Sequence, residues 1–185
     1  MTELWQLYDE QGRPLIGEGG TKEDVLGHGL LHGASHVWIW RKVNNKVEIL
    51  LQKRASNKRT WPSFYDISAA GHIDLGEDPI IAAIRETREE IGHNIADTDL
   101  RFIGTDRRLI TTSDGKSTEN EICWLYTLKL EDSSGLSLDD GEVDSVSWKD
   151  TEDVRREVAD SDNYVPHGTT YYSTVFEAIE RLSNE

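Results

Sequence analysis

Residues 78 to 92 leave the chain little conformational choice. Asp78 can cap a helix with its carboxylate, Pro79 suits the first helical position, and Gly92 suits a left-handed stop. Between them Ile80, Ile84, Thr87 and Ile91 share one narrow arc of a 3.6-residue helix, so the spacing predicts a helix over 79–91 with one buried stripe. Turned away from that stripe stand Glu86, Glu89 and Glu90, spaced i, i+3 and i+4. Stacked like charges cost stability, and a plain solvated helix interleaves Lys at such positions. Hard divalent cations such as Mg2+ take a group of oxygens of this kind. Arg85, one turn before Glu89, can hold one carboxylate in orientation. On the helix alone, a metal-binding face and a solvated acidic face are both open.

The rest of the sequence narrows the setting. A chain of 185 residues suits one ordinary domain with a sizeable core, taken here as 1–185 with no internal boundary. Lys and Arg number 20 against 35 Asp and Glu, a net charge of -15 that repels a phosphate backbone or an anionic membrane. Nonspecific nucleic-acid binding is therefore not expected. A polyanionic substrate would need local repair of that charge by basic residues or divalent cations. The lone Cys123 excludes an internal disulfide or a four-cysteine zinc site, and its apolar surroundings, Ile122-Cys-Trp-Leu-Tyr126, read as a buried strand. No basic-then-apolar leader opens the sequence as read, and no apolar run approaches the roughly 18 residues needed to cross a bilayer, so the expected setting is cytoplasmic, without a membrane partner.

A hairpin is expected over residues 4–8 and 14–16 with its turn at Gln11-Gly12, then a loop from Gly17 to Gly29. Strands are expected at 36–40 and 47–52, joined through Asn44-Asn45, and again at 100–105, 121–130 and 143–148. Helices are expected at 151–159 and 173–182. Between residues 53 and 62 lies a basic island in an acidic protein, holding Lys53, Arg54, Lys58 and Arg59 before Trp61-Pro62. These cations can meet a polyanionic substrate or be ordinary loop charge.

Gly71, five residues, Glu77, seven residues, then Arg85-Glu86-Thr-Arg-Glu89-Glu90-Ile-Gly92 form one pattern with all seven fixed positions of a 23-residue box in place. The chain resembles the Nudix hydrolase superfamily, with the box at 71–93 and departures only at the apolar positions Thr87 and His93. The resemblance implies an α/β fold, an α/β/α sandwich around a mixed sheet, and hydrolysis of a diphosphate with Mg2+ or Mn2+. By matching positions it makes Glu86, Glu89 and Glu90 metal ligands with the carbonyl of Gly71. It also makes Glu89, Glu86 and Arg85 the catalytic group, with Glu89 placed to position or deprotonate water. The family often adds a carboxylate from outside the box. Glu142 is the first choice because it precedes a strand, and can equally be a surface acid; Glu121 is in reserve, with the surface-acid reading favoured there. Members are often dimers, so a homodimer stays open.

A narrower likeness covers about residues 4 to 150. Leu31-His32 before a Trp-containing strand, Gln52 to Lys58, Trp61-Pro62 and Ala70-Gly71-His72 resemble the isopentenyl-diphosphate isomerase branch of the superfamily. That branch places cysteine where Ala70 stands and lacks the intact Arg-Glu-x-x-Glu-Glu run, and both departures favour hydrolysis. It holds metal at positions matching His32 and His72. Isomerisation and diphosphate binding without turnover are the rival readings. The group attached to the diphosphate is left open, since loops such as 110–120 carry no motif.

Overall fold

The structure, a computed structural model, describes residues 3–185 apart from 59, 112–114, 133–134, 139–140 and 161. In chain order it comprises β1 (Trp5–Tyr8), β2 (Pro14–Gly20), α1 (Lys22–His28), β3 (Leu31–Val43), β4 (Lys46–Arg54), β5 (Tyr65–Asp66), β6 (Ala69–His72) and α2 (Pro79–Ile91). Then follow β7 (Leu100–Thr111), β8 (Thr118–Lys129), β9 (Val143–Asp150), α3 (Thr151–Asp160) and α4 (Thr169–Ser183).

The long strand β3 organises the sheet. It runs parallel to β8 from Leu31↔Asn120 to Trp40↔Lys129, and antiparallel to β4 at one end and β6 at the other. The β3–β4 turn places Asn44 and Asn45 at φ 49° and 66°, left-handed values that asparagine tolerates, as the sequence predicts. Because side chains alternate along a strand, Ala34, Trp38 and Trp40 enter one core and Val37 and Ile39 the other. Tyr171, Val175, Phe176 and Ile179 of α4 and Val154 of α3 close the first core over Leu51, Cys123 and Leu125. Ala83 and Ile91 of α2 close the second over Leu50, Tyr126 and Leu128. The result is the expected α/β/α sandwich on a mixed sheet. Cys123 is fully buried, and burial pushes its thiol well above the ordinary value, which fits a packing role.

One expectation fails at residues 17–29. The strand β2 continues to Gly20, and α1 follows where a loop was read. The Thr21 hydroxyl caps α1 by accepting from the Asp24 amide, and Gly29 ends it in the left-handed region at φ 62°. With only Val25 buried, so short a helix shows no periodic apolar signal. Strands β7 and β8 also run further than read, taking in much of the expected loop at 110–120.

Candidate active site

Helix α2 begins and ends as its sequence dictates. The Asp78 side chain accepts from the Ile80 amide, Pro79 opens the helix, and Gly92 stands at φ 68° with its N–H donating to Arg88. Thr87, at an apolar box position, is buried and returns its hydroxyl to the Ala83 carbonyl at 2.7 Å, so it leaves nothing unsatisfied.

The three carboxylates of α2 have unequal settings. Glu89 is the most open, with its side chain 44% exposed. Glu86 packs against the backbone of residue 71, where a Cβ would lie 2.0 Å from its carboxyl carbon. Only glycine fits there. Glu90 is buried and not on the solvated face its spacing suggested; its carboxylate accepts from the Ala70 amide at 2.8 Å and the Gln52 side chain at 3.1 Å. Arg85 binds Glu86 and Glu89, but not Glu90, into one frame with Glu77. It donates to both oxygens of Glu77 at 3.0 and 2.9 Å, to Glu86 at 2.5 Å, to Glu89 at 3.3 Å and to the His72 carbonyl at 2.9 Å. Those bonds, led by Glu77, raise the Arg85 pKa against the opposing effect of burial.

Burial, partly offset by Arg85, pushes Glu86 up to about 7. Burial raises Glu90 well above its ordinary value despite the Ala70 amide, with Glu86, Asp66 and Glu142 adding to the rise. Carboxylates so placed cost free energy when ionised alone, and a divalent cation offsets that cost. The donor types, all oxygen, suit Mg2+ or Mn2+, although the three carboxylates do not converge within 4.8 Å of one another as His32, His72 and Glu121 do.

A second gathering lies across β6. Gly71 meets Glu86 on the α2 side, whereas His72 joins His32 and Glu121 on the other. Both imidazole Nε2 atoms lie 3.5 Å from Glu121 Oε1, and the three donor atoms fall within 4.8 Å of one another. His32 Nδ1 stands 3.0 Å from the Leu30 carbonyl, which can only accept, so Nδ1 carries a proton and Nε2 is the nitrogen turned to Glu121. That Nε2 is buried without a hydrogen-bond partner. Trp5 stacks on His72 with ring centres 3.5 Å apart and fixes its plane. Burial alone would raise Glu121, but His32, His72 and Arg108 outweigh it and hold the carboxyl well below its usual range. Two nitrogens and one oxygen fit a divalent ion of the Mn2+ type better than Mg2+.

The reserve carboxylate, Glu121, is thus the one gathered with the histidines. Glu142 lies elsewhere, 2.6 Å from the Lys58 ammonium and within electrostatic reach of Glu90. Lys53 extends over the Tyr65 ring at 5.9 Å, and Arg59 lies outside the described residues. His28 sits exposed on α1, while His36 points to Tyr171 at 2.9 Å. Trp61 packs edge-on against Phe64. It lines a cavity of about 690 Å³ with Tyr172 and Phe176 that includes none of the carboxylates of either gathering. The sequence reading missed Gln52 as a partner of Glu90. It also missed Arg54 and His167, which both bond buried Asp66 at 2.8 Å, and Arg108 beside Glu121. No local pattern marked Arg108, which follows Arg107 in a strand without clean alternation.

Comparison with known proteins gives the family and the fold. The NUDIX domain model matches residues 32–167. An uncharacterized Nudix hydrolase of Clostridium acetobutylicum is 30% identical, over 96% of this chain and 97% of its own. An isopentenyl-diphosphate Delta-isomerase of Escherichia coli O6:H1 is 33% identical, over 98% and 96%. The crystal structure of DR0079 from Deinococcus radiodurans superposes with a TM-score of 0.67 at 16% identity, covering 97% of this chain and 98% of that one, which shows the shared fold. The chain belongs to the Nudix family. Family and relatives together support an enzyme of the pyrophosphohydrolase kind.

Proposed function

We propose that the protein is a divalent-metal-dependent hydrolase that cleaves the diphosphate linkage of a nucleoside diphosphate derivative or another organic diphosphate. The observation that carries this reading is the cradle in which Glu86, Glu90 and the backbone at Gly71 close on one another beneath the Arg85–Glu77 clamp. Glu86, Glu89 and Glu90 with the Gly71 carbonyl are the proposed ligands there, and His32, His72 and Glu121 those of the second centre. Metal at the box supplies charge neutralisation of the diphosphate and a more acidic water.

The chain's own groups do the rest. Glu89, the open carboxylate, faces solvent from which water enters and accepts its proton. Arg85 keeps Glu86 and Glu89 oriented while its own charge is fixed by Glu77. Lys58, 2.6 Å from Glu142, is a substrate contact that exchanges that carboxylate for a phosphoryl oxygen, with Lys53 and Arg59 on the same segment and Glu142 as an additional box ligand. A cytoplasmic setting and a homodimer complete the proposal.

Isomerisation is less well supported by the local chemistry. Ala70 pairs with His36 across β3 and β6 and offers no thiol. The test is phosphate release from a panel of nucleotide, sugar and isoprenoid diphosphates with Mg2+ or EDTA. Cleavage of one class is expected, falling roughly 10²- to 10⁴-fold in Glu89→Gln without loss of folding. Conversion of isopentenyl diphosphate to its isomer, with no phosphate released from any compound, would overturn the hydrolase reading.

A further inference from the structure

Arg108 carries donors that nothing in the described residues takes up. It lies opposite Glu121 across β7 and β8, so both side chains leave the sheet on the same face. Its Nη1 stands 3.7 Å from Glu121 and its Nη2 3.9 Å from Glu119, both beyond hydrogen-bonding reach. Its Nε is buried without a partner, and the side chain is only 13% exposed. A buried guanidinium left so unsatisfied is costly, and its planar fork matches an oxyanion presenting two oxygens.

The neighbouring His32 Nε2 is also without a hydrogen-bond partner, and the metal centre accounts for that atom. It does not account for Arg108, because a cation is no ligand. A divalent ion in the centre would offset Glu119 and Glu121, but Asp66 and Asp106 also act on Arg108 and remove any surplus of positive charge, so the case for an anion rests on the unmet donors of the fork. Solvent reaches the neighbourhood, since His72 and Glu119 have side chains 31% and 30% exposed.

We propose that Arg108 is a substrate-binding residue that takes a phosphoryl oxyanion beside the His32–His72–Glu121 centre, and so selects a phosphorylated group there over an isoprenyl chain. The choice of phosphoryl chemistry rests on the diphosphate reading above. An isoprenyl chain in the same place would shut Arg108 against hydrocarbon with its donors unmet.

The experiment is calorimetric titration of inorganic pyrophosphate into the Mn2+-loaded protein, compared with Arg108→Met and Arg108→Lys, beside titrations of Mn2+ alone. Arg108→Met is expected to weaken pyrophosphate about ten- to hundredfold while Mn2+ affinity holds. Arg108→Lys, which keeps the charge and loses the fork, is expected to recover part of the loss and stands in if the Met variant does not fold. Unchanged pyrophosphate affinity in both variants overturns the proposal. So does a fall in Mn2+ affinity that matches the loss, because Arg108 would then act by orienting Glu121. Failure of the unaltered protein to hydrolyse any diphosphate would strike the hydrolase reading and leave this calorimetric result standing.

Discussion

At the scale of single residues, Gly71 is demanded by what its neighbour occupies. With a methyl group placed 2.0 Å from the Glu86 carboxyl carbon, Gly71→Ala must displace Glu86 from its cradle. The expected outcome is a loss of Mg2+-dependent turnover of about a hundredfold, the usual result of moving a reacting group by an ångström, with circular dichroism unchanged. The residues of the box were legible because their spacing is local and their types admit few explanations. Glu121 was only a reserve because its partners come from positions 32 and 72, a meeting that no spacing encodes. Arg108 was hidden for the same reason. Its place is set by the pairing of β7 with β8, and one of two adjacent arginines in a strand looks like surface charge until the register is known.

At the scale of elements, α2 could be drawn from its caps, while α1 could not be drawn from its apolar content. Both helices nevertheless begin on a side-chain oxygen and end on a left-handed glycine. Asp78→Ala removes the α2 cap and is expected to cost about 1 kcal/mol, read as a lower melting temperature by roughly 2–4 °C. Because the carboxylates stand in later turns, the metal-dependent rate should fall far less than in Glu89→Gln. Strands β7 and β8 were visible as strands, but their extra length was not, because polar residues such as Asp106 and Arg108 continue β7 without a clean alternation.

At the scale of the whole molecule, stability should depend on pH through the polar layer under α4. His36 is buried between Tyr171 and His167, and burial, with His167 adding, lowers its pKa to about 3. The Trp38 indole donates to the Tyr171 hydroxyl, which leaves that hydroxyl's own proton for His36 Nδ1 and keeps the imidazole neutral. An unfolded histidine binds its proton near pH 6.5, the folded one only near 3, so the unfolded state gains protons first as the solution is acidified. Denaturant melts should therefore show stability falling below about pH 6 by up to roughly 1.4 kcal/mol per unit from this group. Asp66, held low by His167 and Arg54 against burial, adds its own loss only once the pH passes below the ordinary aspartate range. Mn2+ should raise the melting temperature and EDTA reverse it, and His32→Ala should remove part of that shift.

Strand β6 joins the two centres more tightly than their separate chemistries suggest. Its consecutive residues Gly71 and His72 look out on opposite sides of the sheet, one admitting Glu86 and the other meeting Glu121. Deleting a single residue between 69 and 71 would exchange those sides, driving an imidazole toward the box and leaving the histidine pair broken. Neither centre can be shed alone through a change of length here. In an evolving lineage, losing just one of them has to proceed by substitution, and loop-length variation is confined to the segments beyond this strand.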